Sequence, residues 1–491
     1  MTEFGRLGLV GLAFYLLGLV ALAFVARRAR GSDSPTDHFL AGRELGVFVL
    51  FLTLYATAYS GNSLLGYPGE AYRRGFSWIM ATGFMLSIIV AFHMLIPRLR
   101  PIAVRHRFVT PGDWVRYRFR GEPGGRLLLF GVSMLMTIAL ANFLFAQLKA
   151  MGELSTEVTG GVVSYEMGIA LLAAMILFYE TLGGMRAVAW TDAAQGILMM
   201  VGLAALAAWL LGEASGLAAL SQQILAVRPE VGRVPDTVER TNWLSSIVLL
   251  GLASTVYPQA IQRIYAARDG RALKRSLAWM SFMPLTTTLV VTLIGLAAIP
   301  RYADLGEVAA DRVMPLLLGQ WASTGPVFAG AAVLVFLGAL AAIMSTADSC
   351  LLSLGSSLAE DLFGRPRDAP STTAFAKRAA GAVMIGMAVV AMAARDVTLW
   401  GLIELKMELL IQCVPAFLVA IRWRGFRATP AWIGLAVGSA IAMAGAMAGV
   451  KRIEGLHVGV IGLAVNLAIA CLGSLMLGPA GVKDPGERAY R

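Results

Sequence analysis

The sequence is short of charge. Only 14% of its 491 residues are Asp, Glu, Lys or Arg, against 58% hydrophobic residues and a mean hydropathy of +0.71. A soluble chain of this size carries about 25% charged residues to face water, so most of this surface must face something else. Cysteine is scarce as well: Cys350, Cys413 and Cys471 all fall in apolar runs and form neither a disulfide framework nor a metal-binding spacing. The four histidines, His38, His93, His106 and His457, are scattered, which leaves metal and haem chemistry without a basis. GxSxG, HExxH and the paired aspartates of a membrane protease are all missing, so an intramembrane enzyme is the weakest reading.

What the chain has in abundance is apolar runs of about 20 residues, each enough to cross a bilayer as a helix. They are continuous rather than alternating, which excludes a transmembrane β-barrel. Thirteen spans are expected near 6–27, 44–67, 76–98, 124–150, 162–180, 188–212, 243–262, 273–300, 325–357, 373–393, 396–422, 429–448 and 456–477. The first run, Phe4 to Ala26, is too long for the apolar part of a signal peptide and is read as a retained span. The net charge of +11 does not point to nucleic acid, because the basic residues sit in short loops between apolar runs. The segment 98–126 dominates that bias and orients the chain with its N-terminus outside and its C-terminus in the cytoplasm. No stretch resembles an appended soluble domain; the loops near 213–242 and 300–324 are the long external ones.

Two spans carry unusual punctuation. The second reads YSGNSLLGYPGE, with Gly61, Gly66, Pro68 and Gly69 close together; the seventh reads GLASTVYPQAIQR, with Gly251 and an internal Pro258. Proline removes a donor and clashes with the preceding turn, and glycine loosens it. In lipid such freed backbone survives only inside protein or along a watery cavity. If spans 2–6 and 7–11 are two repeats, these helices are the first member of each, and matched interruptions point to a transporter's binding site. Gly and Pro are also simply frequent in membrane helices, so each break taken alone decides nothing.

The ninth span holds AAIMSTADSCLLSLGSSLAEDLF, in which Ala342, Ser345, Thr346 and Ser349 share one helix face. Oxygens at that spacing suit a hard cation, and they equally suit hydroxyls bonding back to the carbonyl four residues earlier. Asp348 tips the balance toward function, since an ionisable side chain inside a membrane costs at least ~2.5 kcal/mol. A second carboxylate, Asp192, lies in GGMRAVAWTDAAQG. At ~1.5 Å per residue it comes out on the same cytoplasmic side of the midplane as Ser345 to Ser349, so the two groups can meet. The alternative for Asp192 is an interfacial pair with Arg186.

At these residues the chain resembles the sodium:solute symporter family, which includes bacterial proline and pantothenate transporters and the sodium–glucose cotransporters. The stretches that carry the resemblance are YSGNSLLGYPG, TPGDWVRYRF, GGMRAVAWTDAAQG, QRIYAARD and the ninth-span motif, in the expected order over nearly the whole chain. The resemblance implies an all-α polytopic fold of two inverted five-helix repeats with interrupted first helices plus flanking helices. The first span and its loop then cover 1–43, the repeats 44–212 and 243–422, and two C-terminal helices with a cytoplasmic tail 423–491. It implies a main sodium site on the carbonyls of Ala56, Tyr59 and Ala342 and the hydroxyls of Ser345 and Thr346. A second site for a sodium ion or a proton falls on Asp192, Ser345, Asp348 and Ser349. Substrate candidates beside the two breaks are Asn62, Ser63, Tyr257, Pro258, Gln259 and, on the fourth span, Gln147. On the eleventh span Glu404 and Glu408 are helix-face neighbours while Lys406 points elsewhere; one of these charges faces the substrate path or they form an internal ion pair that only fixes helix packing, and Glu408, near the midplane, is added to the substrate candidates.

Three departures stand out. Asp348 replaces a hydroxyl, Ala58 stands where the proline transporter has an aspartate, and a tryptophan associated with proline binding is missing near Leu250. Proline is therefore not the first choice of solute. The expected protein is an integral plasma-membrane (bacterial cytoplasmic-membrane) importer of a small organic solute, working by sodium symport and alternating access. Its expected partners are the solute, one or two sodium ions and lipid, with no nucleic acid and no obligate protein. A proton-coupled carrier using Asp192 and Asp348 is the first rival, and a non-transporting solute sensor the second.

Overall fold

The computed structural model describes residues 3–28, 35–302, 304–306, 309–367 and 369–478; part of the first loop and the expected C-terminal tail lie outside them. The chain is nearly all helical. Among the described residues nine helices are long and apolar enough to cross a membrane, or ten if a bent pair is one span. The difference from thirteen falls on spans two, five, seven and eleven, which are short or broken. The second breaks after Val47–Ala58 and resumes as Asn62–Gly66 and Tyr67–Arg74, beyond its expected end. The seventh is Thr237–Thr255 followed by Pro258–Ala266, bent by 51°. Spans five and six lie within one helical stretch, Tyr165–Glu213, in which Val188–Glu213 is long enough to span and Tyr165–Phe178 is a shorter apolar piece. The eleventh begins as Leu399–Leu410 and tightens into Ile411–Cys413 before a wide turn at Pro415–Val419.

The ninth span, Pro326–Ser356, lies at the centre. Every residue from Gly338 to Ser357 is buried, its Ser, Thr and Asp side chains included. It packs against Val188–Glu213, the fourth span Gly125–Thr159, and both the first and second spans. The two broken spans meet end to end: Leu45 N–H donates to Ala266 O at 3.2 Å and Arg268 N–H to Leu45 O at 3.0 Å. The start of one therefore lies beside the finish of the other, so they run in opposite senses, as inverted repeats require. Spans twelve and thirteen, Ala428–Met447 and Val458–Leu477, are joined by a hairpin of two-residue strands pairing Arg452 with His457 and Ile453 with Leu456. Glu454 and Gly455 both have positive φ in its turn, the backbone a two-residue hairpin demands.

Candidate functional site

The second span is helical to Ala58; Tyr59 then turns extended, at φ −103° and ψ 93°. Beyond the break, Ser63 N–H and Leu64 N–H both turn to Ser60 O, at 2.9 and 3.0 Å. The freed Gly61 N–H is taken by Gln147 Oε1 at 2.9 Å. Glycine is needed at that point, since a Cβ on Gly61 would stand 2.6 Å from Ile343 Cγ1 and 2.9 Å from Gln147 Oε1. Gln147 thus repairs the break rather than facing the cavity described below.

Opposite the break, the ninth span presents its hydroxyls. Ser345 Oγ lies 3.1 Å from Ala56 O and 3.2 Å from Ala342 O, and Thr346 Oγ1 lies 3.4 Å from Ala56 O. Four of the five groups expected at the main sodium site therefore meet, and Tyr59 stands where the helix ends beside them. One hydroxyl proton cannot serve two carbonyls, so lone pairs outnumber protons here. That surplus of oxygen suits a hard cation. Ser349 behaves differently: its Oγ bonds back to Ser345 O at 2.6 Å, the ordinary helix contact.

The second cluster holds a guanidinium. Arg263, fully buried on Pro258–Ala266, donates from Nη2 to Asp192 Oδ2 at 2.8 Å and to Ser349 Oγ at 2.5 Å, and from Nε to Thr53 Oγ1 at 2.8 Å. Thr53 Oγ1 also donates to Asp192 Oδ2 at 2.5 Å. Asp192 is thus joined to Ser349 through Arg263, while Arg186 bonds Glu44 at 3.0 Å. Asp348 is fully buried, and neither of its oxygens has a hydrogen-bond partner among the described residues.

Beside the breaks lies a cavity. Asn62, Ser63, Tyr257 and Gln259 line it, together with Tyr59, Ser60, Ser254, Phe143 and Lys406. Pro258, the first residue of its helix, Gln147 and Glu408 do not. Glu408 Oε1 instead faces His457 Nδ1 at 3.5 Å, and Glu404 pairs with Arg452. In one wall of the cavity Tyr67 is backed by an aromatic cluster: Trp78 and Trp400 pack at 4.8 Å and Tyr67 and Trp78 at 5.7 Å between centroids, with Phe84 alongside. The other side continues between apolar residues such as Leu54, Phe92 and Leu277.

Two residues escaped the sequence reading. Arg263 sits one residue past the expected end of the seventh span, where it reads as a loop cation; the helix continues to Ala266 and buries it. Lys406, named among the charges of the eleventh span, yields to Glu408 as the substrate candidate. Its signal was the same as theirs, a charge inside an apolar span, but periodicity does not tell which face of a lone helix meets a cavity.

The profile of the sodium:solute symporter family matches residues 38–438. The chain belongs to that family. Among similar proteins, the sodium/pantothenate symporter of Escherichia coli is 26% identical over 72% of this chain and 71% of its own length. The osmoregulated proline transporter OpuE of Bacillus subtilis is 24% identical over 98% of this chain and 96% of its own. The E. coli sodium/proline symporter is 28% identical over 72% and 70%. Among solved structures, a Na+-coupled sialic acid symporter in a substrate-bound outward-open state superposes with a TM-score of 0.78 at 17% identity, over 97% of this chain and 98% of that one. Mhp1, a nucleobase-cation-symport-1 family transporter in a closed conformation, gives 0.55 at 16% over 92% and 98%. The expected fold class is thereby shown, although these spans do not fix the count at thirteen. The protein is a membrane transporter of the sodium-coupled class, and family members of this kind are not enzymes.

Proposed function

We propose that this symporter imports a small organic solute with one sodium ion by alternating access, with its N-terminus outside and its C-terminus in the cytoplasm. The observation that carries the reading is the convergence of Ser345 and Thr346 on the Ala56 carbonyl at the break in the second span. Sodium there takes the carbonyls of Ala56, Tyr59 and Ala342 and the two hydroxyls as ligands, and ties the second span to the ninth. That tie fixes Asn62 and Ser63, a few residues along, in the cavity wall. Sodium thereby favours the form competent for solute, which is what coupling requires. The sodium gradient drives the cycle, and an inside-negative potential adds ~2.3 kcal/mol for each 100 mV only per net positive charge carried inward. A single ion is proposed because Arg263 already supplies a positive charge between Asp192 and Ser349. In this topology the aromatic cluster behind Tyr67 lies toward the outer side and forms the aromatic cap of the cavity.

Equilibrium binding of radiolabelled sodium to the purified protein tests the assignment. Ser345→Ala and Thr346→Ala are each expected to weaken sodium binding about tenfold or more, as loss of a charge-assisted contact does, while the protein still inserts and purifies. Unchanged sodium affinity in both variants would remove the site. The unpartnered Asp348 favours a second reading, proton coupling; uptake driven by a pH gradient in sodium-free vesicles would select it.

A further inference from the structure

Lys406 lies inside the membrane and lines the cavity, with 2% of the residue exposed. Its Nζ sits 3.1 Å from the centroid of the Phe143 ring and 5.6 Å from that of Tyr257. No acidic side chain pairs with it among the described residues; Glu404 and Glu408, on the same helix, are turned to Arg452 and His457. Two rings facing a cation stabilise it electrostatically, the more so when water is excluded. They do not replace a counter-ion. A buried charge is ordinarily paired or gives up its proton, and an anion entering the cavity would supply the pair that the protein does not.

The rest of the wall says what arrives. Among the described residues, Asn62 Nδ2 and the Tyr257 hydroxyl are buried donors with no partner, and Gln259 Oε1 is a buried acceptor with none. Among the described residues no Asp or Glu lines the cavity, while Leu54, Ile88, Phe92 and Leu250 do. An amino acid would bring an ammonium group next to a lysine with no carboxylate to receive it. A sugar would leave the lysine unpaired. We propose that the solute is a small monocarboxylate without an amino group, its carboxylate held by Lys406 with Asn62 and Tyr257, and its body in the apolar part. Gln259 accepts a hydroxyl proton where the solute carries one. This assignment rests on the symport reading, and with one sodium ion it makes each transport cycle electrically neutral.

The test is calorimetric binding in sodium chloride of propionate, lactate and isobutyrate, against isobutyramide, valine and glucose, to protein whose sodium affinity is measured in parallel. At least one carboxylate is expected to bind the wild type, with its amide and valine counterparts bound about tenfold or more weakly. Lys406→Met, which fills the same space without a charge, is expected to lose carboxylate binding and keep sodium binding; Lys406→Arg is expected to retain part of it. Binding of valine, glucose or the amide in preference to the acids would overturn the assignment. So would carboxylate affinity unchanged in Lys406→Met, or no carboxylate bound by protein that binds sodium. Loss of sodium binding in the wild type would instead defeat the symport reading, and the comparison of acid with amide stands on the wild type alone.

Discussion

Arg263 is where three helices meet: it bonds Thr53 on the second span, Asp192 on the sixth and Ser349 on the ninth, with no exposure to solvent. Removing one member of a buried pair strands the other charge and costs about 3–5 kcal/mol, whereas removing both is often close to neutral. Arg263→Met alone is therefore expected to lower thermal stability strongly, and Arg263→Met combined with Asp192→Asn to recover most of the loss. Fluorescence-detected unfolding of the purified variants measures this, and simple additivity of the two substitutions would contradict the pairing. At this scale the sequence was legible wherever chemistry and position coincide. Ser345 and Thr346 follow from helix-face spacing and the resemblance, and Asp192 from being a carboxylate in an apolar run. The partner of Asp192 was not legible. Arg186 and Arg263 are both arginines near span ends, and only tertiary packing decides which one reaches inward.

The element that most depends on its surroundings is the far half of the second span, Tyr67–Arg74. Gly69 lets the backbone of Ala310 come close, and Asp311 bonds both Arg73 Nη2 at 3.2 Å and the N–H of Leu399 at 2.8 Å. Asp311 thus ties the loop before span nine to two helices that border the aromatic cap. Burial pushes its carboxyl up from 3.8 to about 6, although Arg73 and the Leu399 N–H oppose the shift. A carboxyl that holds its proton more tightly when packed favours the packed form as pH falls through the window from about 6 to about 4, and penalises it above. Hydrogen exchange around Ala309–Arg312, corrected for intrinsic rates, is expected to be slower at about pH 5 than at about pH 7. Asp311→Asn is expected to abolish the difference. Protection that instead rises with pH would contradict the account. Both broken helices were legible from Gly and Pro, because backbone chemistry is local. The loop strap was not, since nothing in the stretch around Asp311 names Arg73 or Leu399 as its neighbours.

At the scale of the whole molecule, opposed broken helices around a buried ninth span set the proposed cation site beside a cavity and an aromatic cluster. The helical class came from hydropathy, and the meeting of Ser345 and Thr346 with Ala56 from the motif. The number of crossings did not, because spans two, five, seven and eleven depart from a straight apolar helix of full length. The cavity's chemistry was also out of reach. Glu408 and Lys406 are two residues apart, and helix packing sends one toward His457 and the other toward the solute cavity. The central claim is that sodium fastens the second span to the ninth. Hydrogen exchange of the peptides covering Val47–Arg74 and Ser345–Ser349 in sodium chloride against potassium chloride tests it most directly. Slower exchange at the break in sodium alone, lost in Ser345→Ala, is the predicted result; equal exchange in the two salts would contradict it.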